Sequence, residues 1–276
     1  MLKKRWFMVL LATILVLAGA IGVDAYFFAT KRISVNYQTL SSSKIPEDLS
    51  GMGIAVFGDL EYGEYLDQNR LKTIVDKINS LDPDTIIFLG DLFNQNYIPS
   101  IDEITVVTNL LSTLKADEGK FAILGDFDNA DIVTPILTSA GFEIISDKVI
   151  HLHHGTSAYV DLVGLNNTIT SSNDLDTLFK DIQTDIYNIA ICHNPEIVNS
   201  LPLNTTDVLF AAHSHGYEIT IPLYGAYSNY TGMDNMGPGK HLRNGTEVYV
   251  TNGLGTVKSN LRLFCDPEII LFRLKH

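Results

Sequence analysis

The sequence predicts a layered α/β domain behind an apolar N-terminal segment, and three observations lead there. Three short runs each stop at the same dipeptide: Gly53-Ile-Ala-Val-Phe57 before Gly58-Asp59, Thr85-Ile-Ile-Phe-Leu89 before Gly90-Asp91, and Lys120-Phe-Ala-Ile-Leu124 before Gly125-Asp126. Near-continuous β-branched and aromatic runs of about five residues suit strands buried on both faces. Between them, Leu71, Ile74, Val75 and Ile78 recur at helical spacing, as do Ile104, Val107, Leu110, Leu111 and Leu114. Strands that alternate with helices form layered α/β folds, in which the carboxyl ends of the strands face a ligand crevice. Each of the three strands therefore delivers an aspartate to one rim.

The remaining elements follow in order. Ile33-Ser-Val-Asn-Tyr-Gln-Thr-Leu40 alternates like a strand, and residues 41–48 read as a polar connector. Tyr159–Gly164 and Ile189–Cys192 read as strands, the second ending at His193, and Val208–Ala212 ends at His213-Ser214-His215. Glu247–Thr251 and Glu268–Arg273 look like closing strands. No Pro-, Gly- or Ser-rich linker divides residues 51–276, so residues 33–276 read as one domain.

Residues 1–32 read as a short tail and a transmembrane anchor. The uncharged stretch from Trp6 to Val23 follows Lys3, Lys4 and Arg5 and leads into Tyr26, Phe27 and Phe28. A spanning helix needs roughly 20 apolar residues, with basic residues on the cytoplasmic side and aromatic ones at the interface. The expectation is a single-pass protein of the plasma membrane with a cytoplasmic N-terminus and an extracytoplasmic domain. A cleaved signal peptide ending near Val23-Asp24-Ala25 is the rival reading, and it too exports the domain.

Composition excludes some classes. At 276 residues, 46% hydrophobic and 18% charged, the chain reads as globular. Its formal charge of −13 argues against binding a nucleic-acid scaffold, which requires basic patches. Two cysteines, Cys192 and Cys265, make no disulfide framework, and Cys192 lies in an apolar run where a packed thiol is expected.

The predicted strand ends carry the chemistry: Asp59 with Glu61, Asp91, Asp126, His193, and His213 with His215. Any one of them has an ordinary reading, since Asp after a strand is a common cap or turn residue. Carboxylates and imidazoles converging on one rim are what a pair of divalent cations needs.

These motifs resemble those of the calcineurin-like metallophosphoesterase superfamily, especially its membrane-associated bacterial branch similar to UDP-diacylglucosamine pyrophosphatases. The family pattern of Asp-x-His, Gly-Asp, Gly-Asn-His-Asp, a lone His and Gly-His-x-His is matched in order. Here it reads Gly58-Asp59-Leu60-Glu61, Gly90-Asp91-Leu92, Gly125-Asp126-Phe127-Asp128, His193-Asn194-Pro195 and Ala212-His213-Ser214-His215-Gly216. Glu218–Pro222 and Tyr249–Thr256, running on to Pro267-Glu268-Ile269, add flanking matches. The resemblance implies an α/β/β/α sandwich and a two-metal phosphoesterase. Asp59 and His215 would hold one ion, His193 and His213 the other, and Asp91 would bridge them.

Three positions depart from the pattern. Glu61 stands where a His ligand is expected, Asp126 where an Asn ligand is expected, and Phe127 where a His contacts the phosphate. With Asp59, Glu61, Asp91 and Asp126 all ligating, two divalent ions would be formally neutralised. Such a site favours manganese or iron, with zinc as the further candidate. Phe127 removes a proton donor, a loss that commonly costs ~10²–10⁴-fold in rate. Asp128 is the nearest replacement and is the second catalytic candidate beside Asp91.

The expectation is hydrolysis of a phosphate ester, phosphodiester or pyrophosphate of a small molecule or lipid. The alternative is a weak or inactive relative that binds metal or a phosphorylated ligand. Two further features carry lesser expectations. His151-Leu152-His153-His154 before Gly155 reads as a hairpin, and the stretch from Tyr224 to Gly239, with Tyr227, Tyr230, Met233 and Met236, reads as a loop near the site or the membrane.

Overall fold

A computed structural model describes residues 2–166, 172–221, 224–226 and 236–276. Helix α1 (Leu2–Val23) continues through a π turn, Asp24–Phe28, and a 3-10 turn, Ala29–Lys31. There follow β1 (Ser34–Ser41), β2 (Gly53–Phe57), α2 (Gln68–Asn79), β3 (Thr85–Phe88), α3 (Ile101–Ser112), β4 (Lys120–Ala122), α4 (Ala130–Ser139) and β5 (Glu143–Ile144). The second half adds β6 (Lys148–His153), β7 (Tyr159–Gly164), α5 (Ser172–Leu178), β8 (Asn188–Ile191), β9 (Val208–Ala211), β10 (Thr220–Ile221), β11 (Gly225–Ala226), β12 (Gly239–Arg243), β13 (Thr246–Val250) and β14 (Glu268–Lys275).

Two six-stranded sheets result, in the orders β1-β14-β2-β3-β4-β5 and β12-β13-β9-β8-β7-β6, with β10 and β11 as a separate pair. Strands β2, β3, β4 and β5 are parallel neighbours, joined through α2, α3 and α4. Strands β7, β8, β9 and β13 are likewise parallel.

Alternation along the strands sorts the core into layers, as the two-residue side-chain period requires. Ile54 and Val56 of β2 meet Leu162, Ile189 and Phe210 of the second sheet, and Phe210 stacks on Phe272 of β14 with ring centroids 4.2 Å apart. Ala55 and Phe57 point the other way and pack with Leu71, Ile74 and Ile78 of α2 and Val107 of α3. Val163, Ala190 and Leu209 cover the outer face of the second sheet beneath Leu175 and Phe179. The layering is α/β/β/α, as the sequence motifs imply.

Local chemistry supports these elements. The Asp67 carboxylate accepts from Arg70 N at the start of α2, and Ser100 and Glu103 form a reciprocal capping box on α3. The expected hairpin at His151–His154 is the β6–β7 pair, in which His151 faces Asp161 and His153 faces Tyr159.

Helix α1 and the turns after it are long and apolar enough to cross a membrane, with mean hydropathy 2.5 over the apolar window and none of it buried. The register shows where that helix meets the domain. β1 runs parallel to β14, with Ser34 opposite Glu268, and β14 runs antiparallel to β2, with Ile270 opposite Val56. The start of β1 therefore lies at the same end of the sheet as the end of β2. The chain leaves the apolar helix at the rim that carries Asp59.

Candidate metal centre

Each candidate acid or imidazole stands two to four residues beyond the end of its strand. The backbone then turns sharply: Asp59, Glu61, Asp91, His213 and His215 have φ of 49°, 51°, 56°, 66° and 48°. Non-glycine residues in this left-handed region are uncommon and cluster at functional sites, where surrounding structure must hold them. Asp59 N donates to Gly90 O at 2.9 Å and Glu61 N to Asp91 O at 3.1 Å, so the first two loops brace each other.

Six side chains gather in two groups whose donor atoms lie within 4.8 Å of one another: Asp59, Asp91 and His215, and Asp126, His193 and His213. The groups touch, because His193 Nε2 stands 3.1 Å from Asp91 Oδ2 and 3.9 Å from Asp59 Oδ1. His213 Nδ1 is 2.9 Å from Asp126 Oδ2 at the more exposed edge. Glu61, the seventh expected residue, falls outside both groups but stands beside the first, with Oε1 3.7 Å from His215 Nε2. His193 Nδ1 pairs with Leu89 O at 2.7 Å, which fixes its tautomer and turns Nε2 toward the carboxylates, the pose of a metal-ligating imidazole.

The donor set fits a pair of cations. Both Glu61 oxygens and Asp59 Oδ2 are buried without a hydrogen-bond partner among the described residues. Buried charges persist only when paired or coordinated, so acceptors aimed at a shared space point to positive charge there. In the metal-free chain the strain appears as protonation. Burial, followed by the charges of Asp91 and Asp59, pushes the Glu61 carboxyl up to about 10. Burial opposes the charged form of His193, but Asp91 outweighs it and holds the imidazole well above its usual range. Burial lowers His215. For Asp91 burial is the largest influence and acts upward, yet His193 and the Phe127 N–H together hold the carboxyl below its ordinary value.

Phe127 and Asp128 take specific places. Phe127 presents its ring half-exposed at the rim, while its N–H donates to Asp91 Oδ1 at 3.0 Å. Asp128, expected as a replacement proton donor, accepts three backbone hydrogen bonds, from Asp91 N at 2.9 Å, Leu92 N at 2.8 Å and Gly125 N at 2.8 Å. Burial and the charge of Asp91 raise its carboxyl to about 6. Both oxygens are thus occupied in bracing the loop that aims Asp91. Gly125 belongs to the same brace, because a Cβ there would stand 2.1 Å from Asp91 Oδ1.

One contributor has no motif in the sequence. Arg262 is fully buried, and its guanidinium donates to the carbonyls of Asn252, Gly253, Gly255 and Cys265. The loop it holds presses on the site, since a Cβ at Gly253 would stand 2.7 Å from Asp59 Cβ. Arg262 N also donates to Ala25 O at 3.1 Å, which links the end of the apolar helix to that loop. Of the aromatic loop, Tyr227, Tyr230 and Met233 lie outside the described residues, Tyr224 is exposed and Met236 is buried.

Two adjoining groups of cation-ready side chains thus stand at the strand ends of an α/β/β/α sandwich. Residues 52–217 match the family model for calcineurin-like phosphoesterases, and the chain belongs to that family. Its members bind a dinuclear divalent metal. The metallophosphoesterase YkuE of Bacillus subtilis is 27% identical over 99% of this chain and 96% of its own length. The UDP-2,3-diacylglucosamine pyrophosphatase LpxG of Chlamydia muridarum is 26% identical over 82% of this chain and 84% of its own. Among solved structures, a dimetal phosphatase from Danio rerio aligns at TM-score 0.46 and 10% identity, over 74% of this chain and 88% of that one.

Proposed function

We propose that the chain is a dinuclear metal-dependent phosphoesterase that hydrolyses a phosphate ester, phosphodiester or pyrophosphate at the extracytoplasmic face of the plasma membrane. The observation that carries this reading is the convergence of Asp59, Asp91 and His215 with Asp126, His193 and His213 in adjoining groups. Asp59, Glu61 and His215 would hold one ion, Asp126, His193 and His213 the other, and Asp91 both. When bound, such a pair supplies Lewis-acid polarisation of the phosphoryl group and an acidified water. With four carboxylates in the set, manganese or iron suits the site better than zinc.

The chain's own residues set the geometry. His193 is held in one tautomer by Leu89 O, and Asp91 is aimed by the Phe127 N–H and by the Asp128 brace. Asp91 is the catalytic candidate, and Asp128 acts as its positioning residue. Phe127 offers no proton to a departing group, so substrates with good leaving groups, pyrophosphates among them, suffer least from its presence.

Placement supports action at a membrane. The apolar helix joins the domain on the same rim as the site, through Ala25 and Arg262. A substrate lodged in the bilayer surface would meet the centre without leaving it, and the pyrophosphatase activity named for LpxG, on a diacylated nucleotide sugar, is of that kind.

Hydrolysis of bis-p-nitrophenyl phosphate by the full chain in detergent, supplied with manganese or iron, tests the reading. Activity that appears with metal and disappears in Asp91→Ala is expected. No turnover across metals and substrates, with metal still bound, would instead establish the second reading, a metal- or phospho-ligand-binding relative, which Phe127 favours.

A further inference from the structure

Residues 261–266 form a loop that faces the apolar helix. Leu263, Phe264 and Cys265 share a cleft of about 690 Å³ with Leu17, Ala20 and Ile21 of α1. The polar groups that also line it already have partners. Arg32 pairs with Asp24 at 3.0 Å and with Asp266 at 2.8 Å, the Ser34 hydroxyl donates to Pro267 O, and the Asn252 amide donates to Asp266 O.

Phe264 is held in a costly pose. It is 60% exposed, with φ of 52°. A bulky residue in the left-handed region is a strained outlier that persists only where its surroundings dictate it. Here they do. Leu263 N donates to Glu218 O and Leu263 O accepts from Thr220 N, while the fully buried Arg262 donates to the carbonyl of buried Cys265. The loop is pinned on both sides of Phe264, and the ring is left pointing outward.

The medium around that ring follows from its neighbours on α1. At 1.5 Å of rise per residue, Ile21 and Leu17 lie roughly 5 and 10 Å to the bilayer side of Asp24. A side chain that shares a cleft with them sits at the depth of an interfacial aromatic belt. Tyr26, Phe27 and Phe28, in the turn after α1, are exposed as well, as is Ile221, two residues beyond the bridge from Ile219 to Leu263. Single exposed apolar residues are ordinary, but several around the exit of a spanning helix mark a membrane contact.

We propose that residues 261–266 are a second membrane contact, with the Phe264 ring inserted among the lipid chains of the leaflet nearest the domain. The inference rests on α1 spanning the membrane and adds the depth at which the domain sits. The same loop carries Arg262, which binds Gly253 O and so holds Gly253 against Asp59. The rim of the metal centre is thereby fixed at the height of the lipid headgroups.

Trp6 is the only tryptophan, so Trp6→Phe/Phe264→Trp and Trp6→Phe/Leu15→Trp each carry a single indole. Both full chains are placed in phosphatidylcholine nanodiscs whose acyl bromines lie either near the headgroups or near the chain ends. The indole at position 264 should lose most of its emission to bromines near the headgroups, less to those near the chain ends, and little to aqueous acrylamide. At position 15, inside the helix, the order of the two lipids should reverse. Quenching at 264 by acrylamide and not by bromine, or by neither, with position 15 quenched as expected, would overturn the contact and leave the spanning helix standing. Loss of bromine quenching at both positions would overturn both. The unmutated chain supplies a second measurement, photolabelling by a phospholipid with a diazirine in its acyl chain. Label on the tryptic peptide 263–273 is expected; label confined to the anchor helix would overturn the contact.

Discussion

Replacing Glu61 with Gln changes one atom type in a fully buried carboxyl, and its largest effect should be on the protons that accompany metal binding. In the metal-free chain Glu61 titrates near 10, because burial and the charges of Asp91 and Asp59 disfavour its anion. At pH 7.5 it is therefore protonated, and His193, held well above its usual range by Asp91, is protonated as well. Metal ligands must be deprotonated, so loading the site should expel both protons. Asp91 and Asp126, both held low, contribute none. Titration calorimetry of manganese binding in two buffers of different ionisation enthalpy counts the protons released. Wild type is expected to release about one proton more per chain than Glu61→Gln, at unchanged stoichiometry of metal. Equal release by the two proteins would refute the assignment of Glu61 as a buried, metal-linked acid.

Three other expectations follow from the same residues. In the metal-free chain the Glu61 carboxyl is raised from its unfolded 4.5 to about 10, so the folded state binds the extra proton across that window and stability falls as pH rises. Relative to Glu61→Gln, wild type in detergent with chelator should lose about 2–3 kcal/mol more between pH 6 and 8, at ~1.4 kcal/mol per unit, by urea unfolding; parallel curves would contradict it. Phe127→His restores a proton donor at the rim and should raise manganese-dependent turnover of a poor-leaving-group ester by ~10²-fold or more, but turnover of p-nitrophenyl esters far less. A rate unchanged on both would show that another group already donates. Arg262→Leu strands the carbonyls of Asn252, Gly253, Gly255 and Cys265 and should lower stability by at least about 3 kcal/mol, with weaker metal binding because the loop against Asp59 loosens.

The strands that carry the candidate ligands were legible because they are buried on both faces and therefore written as unbroken apolar runs. Gly53–Phe57 and Thr85–Leu89 appear within a residue of their expected ends. Strand β4 stops at Ala122, two residues short of the expected Leu124, because the chain turns off toward Gly125 just after Ile123, whose N–H still donates to Phe88 O. Helix α4 was not anticipated, although Val133, Ile136 and Leu137 are buried at helical spacing, because Pro135 stands among them and reads as a breaker. Edge strands such as β12 escaped for the opposite reason: Gly239–Arg243 is mostly exposed and carries no hydrophobic pattern.

The same contrast holds at the site. Its acids and imidazoles announce themselves by type and by position after a strand. Their supports do not. The Leu89 carbonyl that orients His193 is a backbone atom with no residue signature. Arg262 acts through backbone carbonyls of its own loop, which carry no residue signature, and only the fold reveals that it joins the apolar helix to the rim. Asp128 was visible as an acid, but its three backbone donors, which make it a brace, come from three-dimensional placement alone.

Anomalous diffraction at the manganese edge, on crystals of the full chain grown with manganese, tests the central claim most directly. Two peaks roughly 3.5–4 Å apart are expected. One should lie against Asp59, Glu61 and His215, the other against Asp126, His193 and His213, with Asp91 reaching both. A single peak, or none, among these seven side chains would contradict it.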